Sequence, residues 1–307
     1  MTPFRSAACL AGCLLLCAAV RAADEPAEAA AAPPAAAASA ASPAASGASA
    51  EPAATPATPP KPKPYEWKWE GAIGPVVSVS PDYAGSSRRN TSVTPGYYLR
   101  YGRISISNTS GFVTRRNQDD IFRGLGLDLK RSDRVRLNLA LRIDNGRRSA
   151  DARGLVGIQN VRRTIRARSS ATWQLGHGTK VALGWNADLL GRGGGNIYDI
   201  GLSHDRRWSE QTTWSVGVGL SAADRRNMQS YFGITPEESA ASGHPVYTPG
   251  AGLRDVSLGT SWRSEISPRW VALWGASVGR ILGPAAKSPL TTSTHQWSAN
   301  AGIAWKF

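Results

Sequence analysis

The stretch Gln296 to Phe307 reads QWSANAGIAWKF and alternates without a break. Its odd positions are Trp297, Ala299, Ala301, Ile303, Trp305 and Phe307. Its even positions are Gln296, Ser298, Asn300, Gly302, Ala304 and Lys306. Successive side chains on a strand point to opposite faces. The stretch is therefore a strand with one apolar, aromatic-ended face and one small or polar face.

The same period recurs upstream. Trp270, Ala272, Trp274, Ala276 and Val278 share a face, as do Val256, Leu258, Thr260 and Trp262. Further runs contain Trp214 to Leu220, Tyr198 to Leu202, Val181 to Leu189, Ile165 to Trp173 and Val135 to Ile143. Weaker runs contain Ile121 to Leu129, Ile104 and Ile106, Tyr97 to Tyr101, and Ile73 to Val79. These make about twelve strand candidates (10–14) of about 8–13 residues, against the roughly 9–11 that a tilted transmembrane strand needs.

The connections sort by length. Long ones fall near 81–93, 114–120, 144–160, 191–195, 224–252 and 282–295. Short ones fall near Gly102, Ser132-Asp133, Gly176-His177-Gly178, Glu210-Gln211 and Ser267-Pro268. Strict alternation of long and short is the layout of an outer-membrane barrel, with short periplasmic turns and longer external loops. A soluble β-sandwich would also alternate, with its apolar face inward. Two features favour the inverted arrangement. The polar faces carry Gly, Ser, Asn and charges of both signs, which suits a small wet lumen. Aromatic residues gather near strand ends, at Trp173, Trp185, Trp208, Trp214, Trp262, Trp270, Trp297, Trp305 and Phe307, as lipid-facing girdles do. The fold expected is all-β: a transmembrane antiparallel β-barrel over 65–307.

Two segments precede it. Residues 1–22 have a positive start at Arg5, an apolar run from Ala7 to Val20 and a small-residue cleavage site at Val20-Arg21-Ala22, the pattern of a signal peptide. Leu10-Ala11-Gly12-Cys13 also fits a lipobox, so lipidation at Cys13 stands as the alternative to ordinary cleavage. Residues 23–64 are almost all Ala, Pro, Ser, Thr and Glu. Such a segment buries too little apolar surface to offset its ordering entropy and reads as a disordered periplasmic linker.

Composition excludes several functions. Cys9, Cys13 and Cys17 all lie in the leader, so the mature chain has no thiol chemistry. The four histidines, His177, His204, His244 and His295, lack ligand spacing, so no metal is expected. Gly191-Arg192-Gly193-Gly194-Gly195-Asn196 lacks the Gly-Lys-Ser/Thr ending of a phosphate loop and reads as a flexible external turn. No strained nucleophile turn is visible. No catalytic residue, enzyme activity or cofactor is expected. The net charge is +14, two of those charges lying in the leader, but the basic residues lack the aromatic interleaving of single-strand binders, so nucleic acid is not an expected partner.

Pro81 to Ser86 (PDYAGS), Pro95 to Gly102 (PGYYLRYG), Met228 to Thr235 (MQSYFGIT), Ser242 to Tyr247 (SGHPVY) and Gly250 to Val256 (GAGLRDV) form a specific combination. Leu282-Gly283, Ala285-Ala286, Ser288-Pro289, Gln296-Trp297 and the final Phe307 complete it. In these residues the chain, over about 66–307, resembles the MipA/OmpV family of outer-membrane proteins. Pro284 stands where that family often has an acidic residue. The resemblance implies an outer-membrane scaffold for murein-synthesising and murein-hydrolysing enzymes, with a lytic transglycosylase and a murein synthase as partners. Some members of the family are described as porin-like, which gives the alternative: a channel for small, anionic solutes.

Three groups of residues are candidates for function. Trp305 and Phe307 resemble the C-terminal signal read by the barrel-assembly machinery, through a free strand edge. Arg134, Arg136, Arg142, Arg162, Arg166 and Arg168 fall on the polar faces of two neighbouring strands. They form either a basic stripe in the lumen that favours anions or a ladder paired with Asp128, Asp188, Asp199 or Asp205. The longest loop carries Tyr231, Phe232, Gly243, Pro245 and Tyr247, with Asp255 just beyond it. Long loops with this much apolar content tend to be functional.

Overall fold

A computed structural model describes residues 67–108, 124–132 and 134–307. The leader, Cys13, the linker 23–64, Ile121 and the connection 114–120 lie outside the described residues.

Twelve strands close into one antiparallel barrel, each paired with its sequence neighbours and β1 with β12. They are β1 (Trp69–Pro81), β2 (Arg89–Tyr101), β3 (Ile104–Ser107), β4 (Gly124–Arg131), β5 (Val135–Asp144) and β6 (Thr164–Gly176). The second half is β7 (Thr179–Asp188), β8 (Ile197–Arg207), β9 (Thr212–Ala223), β10 (Gly252–Ser267), β11 (Trp270–Ile281) and β12 (His295–Lys306). β3 has four residues, short of the length expected, and β10 has 16. Among the described residues the short and long connections fall where the alternation places them. The turn His177-Gly178 shows how the short ones close: both residues have positive φ, 51° and 81°, the geometry of a type I′ hairpin. A Cβ at Gly178 would lie 2.1 Å from the Asp205 carbonyl oxygen, so only glycine fits.

The apolar faces point outward. Ile73, Val93, Leu129, Ile143, Leu183, Ile200, Leu258 and Val278 are all exposed on the wall. A water-soluble monomer rarely exposes an apolar patch larger than a few hundred Å², whereas a barrel in hydrocarbon must do so on every strand. Aromatic rings thicken this band toward the short-turn end. Trp214, Trp262 and Trp274 lie in register across β9, β10 and β11, with Trp262 and Trp274 stacked at 5.9 Å. Trp69 stacks on Tyr101 at 4.9 Å. Trp185, Tyr198 and Trp297 mark the opposite rim. Among the described residues no helix is long and apolar enough to cross a membrane; the strands do the crossing.

The lumen departs from the simple polar-inside pattern. Ala72, Val76, Tyr98, Val271, Leu273 and Ala304 form a buried apolar cluster on the inner faces of β1, β2, β11 and β12. Toward the short-turn end the inner wall carries salt bridges: Arg263–Glu265 and Lys306–Glu265 on β10 and β12, and Lys180–Asp205 on β7 and β8.

The long loops are folded rather than open. Loop 224–251 contains α1 (Arg225–Phe232) and α2 (Pro236–Ser242), and loop 282–294 contains α3 (Gly283–Ala286). Asp224 caps α1 by accepting from Asn227 N. Thr235 and Glu238 form a capping box on α2, Pro236 opens it, and Gly243 closes it in the left-handed conformation at φ 74°. Two buried clusters bind the loops together. One joins Ala152, Leu155, Ile158, Ile234 and Leu290; the other joins Ala223, Met228, Phe232, Ile281 and Ala285. The first is decisive. Leu155 belongs to the β5–β6 connection and Leu290 to the β11–β12 connection, hairpins half a circuit apart in a ring of twelve strands. Residues from opposite sides of the ring share a core only if the loops cross the mouth. They form a cap.

Candidate functional site

Beneath the cap lies a chamber of about 310 Å³. Its wall is the upper inner face of β5 to β8 with the start of β10: Arg142, Asp144, Arg166, Arg168, Asn186, Asp199, Arg254 and Asp255. Its roof is α1 and the adjoining loops, through Asn227, Tyr231, Phe232 and Ala84. Register explains the wall. Arg142 pairs with Arg166 and Asp144 with Thr164 across β5 and β6, so these side chains stack on the lumen side.

Arg166, 4% exposed, anchors the chamber. Its Nε meets Asp144 Oδ2 at 2.5 Å, and its terminal nitrogens donate to the carbonyls of Gly194 and Gly195. The glycine-rich turn is therefore not a loose external loop. Gly194 and Gly195 are buried, and a Cβ at Gly195 would meet the backbone nitrogen of Asn227 at 2.4 Å. Glycine permits the approach that lets an arginine and a helix pack on bare backbone. Asp188 accepts from Thr164 and from Gly194 N at the same corner. Arg168 pairs with Asp199 at 3.1 Å, and Asn186 and Ser221 also donate to Asp199. Arg254 Nε meets Asp255 at 2.6 Å.

Four arginines thus face three carboxylates. Arg142 is exposed on the same wall, and its charge acts on Asp144 and Arg168 beside it. In the roof, Tyr231 Oη reaches Asp144 Oδ2 at 3.4 Å. Burial, reinforced by the Asp144 carboxylate, holds the Tyr231 phenol above its ordinary pKa, so it is a neutral donor at neutral pH.

The basic stripe therefore divides. Arg142, Arg166 and Arg168 line the chamber. Arg136 lies on the inner face of β5 nearer the short-turn end. Arg134 and Arg162 correct the strand-face assignment: Arg134 lies in the turn before β5, Arg162 lies before β6, and both are exposed. Pairing of β5 with β6 stops at Asp144 and Thr164, where Gly146 turns the chain at φ 69°. The ladder partners divide too. Asp199 takes Arg168, while Asp128 takes Arg100 and Asp205 takes Lys180.

The loop candidates divide likewise. Tyr231, Phe232 and Asp255 reach the chamber. Gly243 is the C-cap of α2, and Pro245 is exposed. Tyr247 donates to the Pro284 carbonyl at 2.7 Å, inside the cap. Trp305 and Phe307 face outward and stack at 5.3 Å, and Phe307 exchanges both backbone hydrogen bonds with Gly71, closing the seam. Asn227, Arg254 and Asp144 are chamber residues that the sequence reading left out. Signals for two of them are present in the sequence: Asp224, which caps α1 three residues before Asn227, and the even-position phase of β5, which includes Asp144.

The family model described as MltA-interacting protein MipA matches residues 73–307. No curated protein matches the sequence. Among solved structures the chain is similar to the NanC porin, at 8% identity and TM-score 0.37, over 78% of this chain and 100% of that one. It is similar to OmpT of Vibrio cholerae at 8% identity and TM-score 0.35, over 78% and 97%. It is similar to the channel DcaP of Acinetobacter baumannii at 7% identity and TM-score 0.35, over 78% and 96%.

Proposed function

The chain belongs to the family of the MltA-interacting protein MipA, and on that premise we propose that it is a non-enzymatic outer-membrane anchor that scaffolds murein-processing enzymes. The short turns and the linker 23–64 face the periplasm in this reading. There they engage a lytic transglycosylase and a murein synthase. One observation carries it: the cap crosses the mouth, with Leu155 and Leu290 in one buried cluster. A barrel stoppered in this way serves as an anchor rather than a conduit. The family's name, that of an MltA-interacting protein, supports the partner class.

The test is direct binding. The purified full chain, immobilised in detergent, should capture a lytic transglycosylase saturably. A chain lacking 23–64 then divides the binding between linker and turns. Absence of capture by the full chain would overturn the scaffold.

A second reading, a porin-like route for small anions, has one observation of its own, the surplus arginine of the chamber. Proteoliposomes that swell in a small anionic solute faster than in a neutral one of equal size would favour it.

A further inference from the structure

The corner of the cap above β6 and β7 gathers five exposed arginines. Arg162 and Arg163 lie just before β6, Arg192 just after β7, and Arg225 and Arg226 in the first turn of α1. Two hydrogen bonds draw three of them together. Arg192 Nη1 donates to the Arg163 carbonyl at 3.1 Å, and Arg226 Nη2 donates to the Gly191 carbonyl at 3.0 Å. None of the five forms an ion pair among the described residues. The two carboxylates of this corner are engaged with other groups. Asp188 accepts from Thr164 and Gly194 N, and Asp224 accepts from Asn196 and from Asn227 N.

Two electrostatic preferences are set aside at this corner. Like charges crowd one patch, and the first turn of α1, where acids are favoured, carries two arginines and no acid. Departures from local rules that gather in one place mark functional sites.

The patch borders the apolar wall. Ile165 and Leu189 are exposed neighbours, joined by the bond from Leu189 N to the Ile165 carbonyl at 2.9 Å. Leu190 and the paired rim residues Trp185 and Tyr198 are exposed beside them. Arg163 stands two residues before Ile165, and Arg192 two residues after Leu190. The guanidiniums therefore begin one step beyond the last lipid-facing side chains, at headgroup level.

We propose that this corner binds a phosphorylated glycolipid of the outer leaflet, with its phosphates on Arg163, Arg192 and Arg226 and its acyl chains on the wall below. Guanidinium forks match phosphate oxygens, and basic clusters at a membrane edge select anionic headgroups. The apolar border selects a lipid-borne phosphate over a free one. The inference rests on the reading that puts the short turns in the periplasm, which brings the cap to the outer leaflet.

Microscale thermophoresis on the full chain in neutral detergent tests it, at roughly 0.15 M salt, where charges more than about 8 Å apart are screened. The probes are bisphosphorylated lipid A, the same lipid stripped of phosphate, and glucose 6-phosphate. Lipid A should bind at least tenfold more tightly than either of the others. Arg163→Gln, Arg192→Gln and Arg226→Gln combined should weaken it at least tenfold. Arg134→Gln, Arg207→Gln and Arg269→Gln combined, an equal loss of charge at the short-turn end, should bind as the parent does. Equal weakening in the two triple variants would reduce the effect to net charge and overturn the proposal. So would glucose 6-phosphate or the stripped lipid binding as tightly as lipid A, or no binding of lipid A. If the first triple variant fails to fold, Arg163→Gln alone decides, because that guanidinium makes no hydrogen bond among the described residues. It should weaken lipid A at least twofold, and an unchanged affinity would overturn the site. Binding in detergent is blind to which side of the membrane the cap faces, so its failure is distinct from failure of the scaffold, which transglycosylase capture reads.

Discussion

The Arg147 guanidinium donates through Nη1 to the carbonyl of Tyr231 at 2.7 Å. That bond joins the β5–β6 connection to the end of α1. Three others run beside it: Gln159 N to Glu238 at 2.8 Å, Ser288 Oγ to the Phe232 carbonyl at 2.6 Å, and Tyr83 Oη to the Leu290 carbonyl at 3.2 Å. Together they tie four connections into the cap. Arg147 itself is 7% exposed, and burial lowers its pKa.

Arg147→Gln should loosen the cap and spare the barrel. A hydrogen bond from a charged donor contributes roughly 1.5–3 kcal/mol, which is about tenfold to a hundredfold in local opening. Amide exchange across 225–242 should accelerate by that factor, while amides in β10 and β11 stay unchanged. Uniform acceleration across both regions would contradict the cap as a separate unit.

Alkali should open the cap before it melts the wall. Burial raises the phenols of Tyr83 and Tyr231, and both lie in the connections. The folded cap therefore holds these protons more tightly than the unfolded chain, whose phenols ionise near about 10. Their contribution is complete below that value and is lost as pH rises through the higher folded values. Absorbance at a tyrosinate band should show three late-ionising phenols, those of Tyr83, Tyr231 and the likewise part-buried Tyr247, of which the first two disappear in Tyr83→Phe and Tyr231→Phe. Ionisation of Tyr83 and Tyr231 at the ordinary value would refute the burial argument.

The seam between β1 and β12 depends on a missing side chain. A Cβ on Gly74 would lie 1.9 Å from the Ile303 carbonyl oxygen, whereas one on Gly219 would meet nothing nearer than 3.4 Å. Gly74→Ala should destabilise the barrel by about 1–3 kcal/mol, the usual cost of overpacking. Gly219→Ala should have little effect. Urea unfolding in micelles, followed by tryptophan fluorescence, reads both. Equal midpoints for the two variants would contradict the close approach at the seam.

The wall was legible in the sequence because one rule governs it. Lipid outside and charge inside impose period two on every strand, and Trp297 to Phe307 display it without interruption. The inner apolar cluster was not legible. Tyr98, Val271 and Leu273 occupy lumen-phase positions that alternation assigns to polar residues. Their burial depends on β1, β2, β11 and β12 meeting when the ring closes, a long-range contact that no local window contains. The helices of the cap left readable marks, Asp224 before α1 and Thr235-Pro236-Glu237-Glu238 with Gly243 around α2. Their packing on Leu155 and Leu290 is again long-range. Part of the chamber wall followed from phase alone: Arg142, Arg166 and Arg168 share the inner face. The roof, with Asn227 and Tyr231, required the fold.

Single-channel recording in planar bilayers tests the stoppered mouth most directly. The parent chain should show no conductance steps at neutral pH, and a chain with residues 226–250 replaced by a short glycine-serine turn should show them. Steady ohmic steps of the same size from both proteins would contradict the cap.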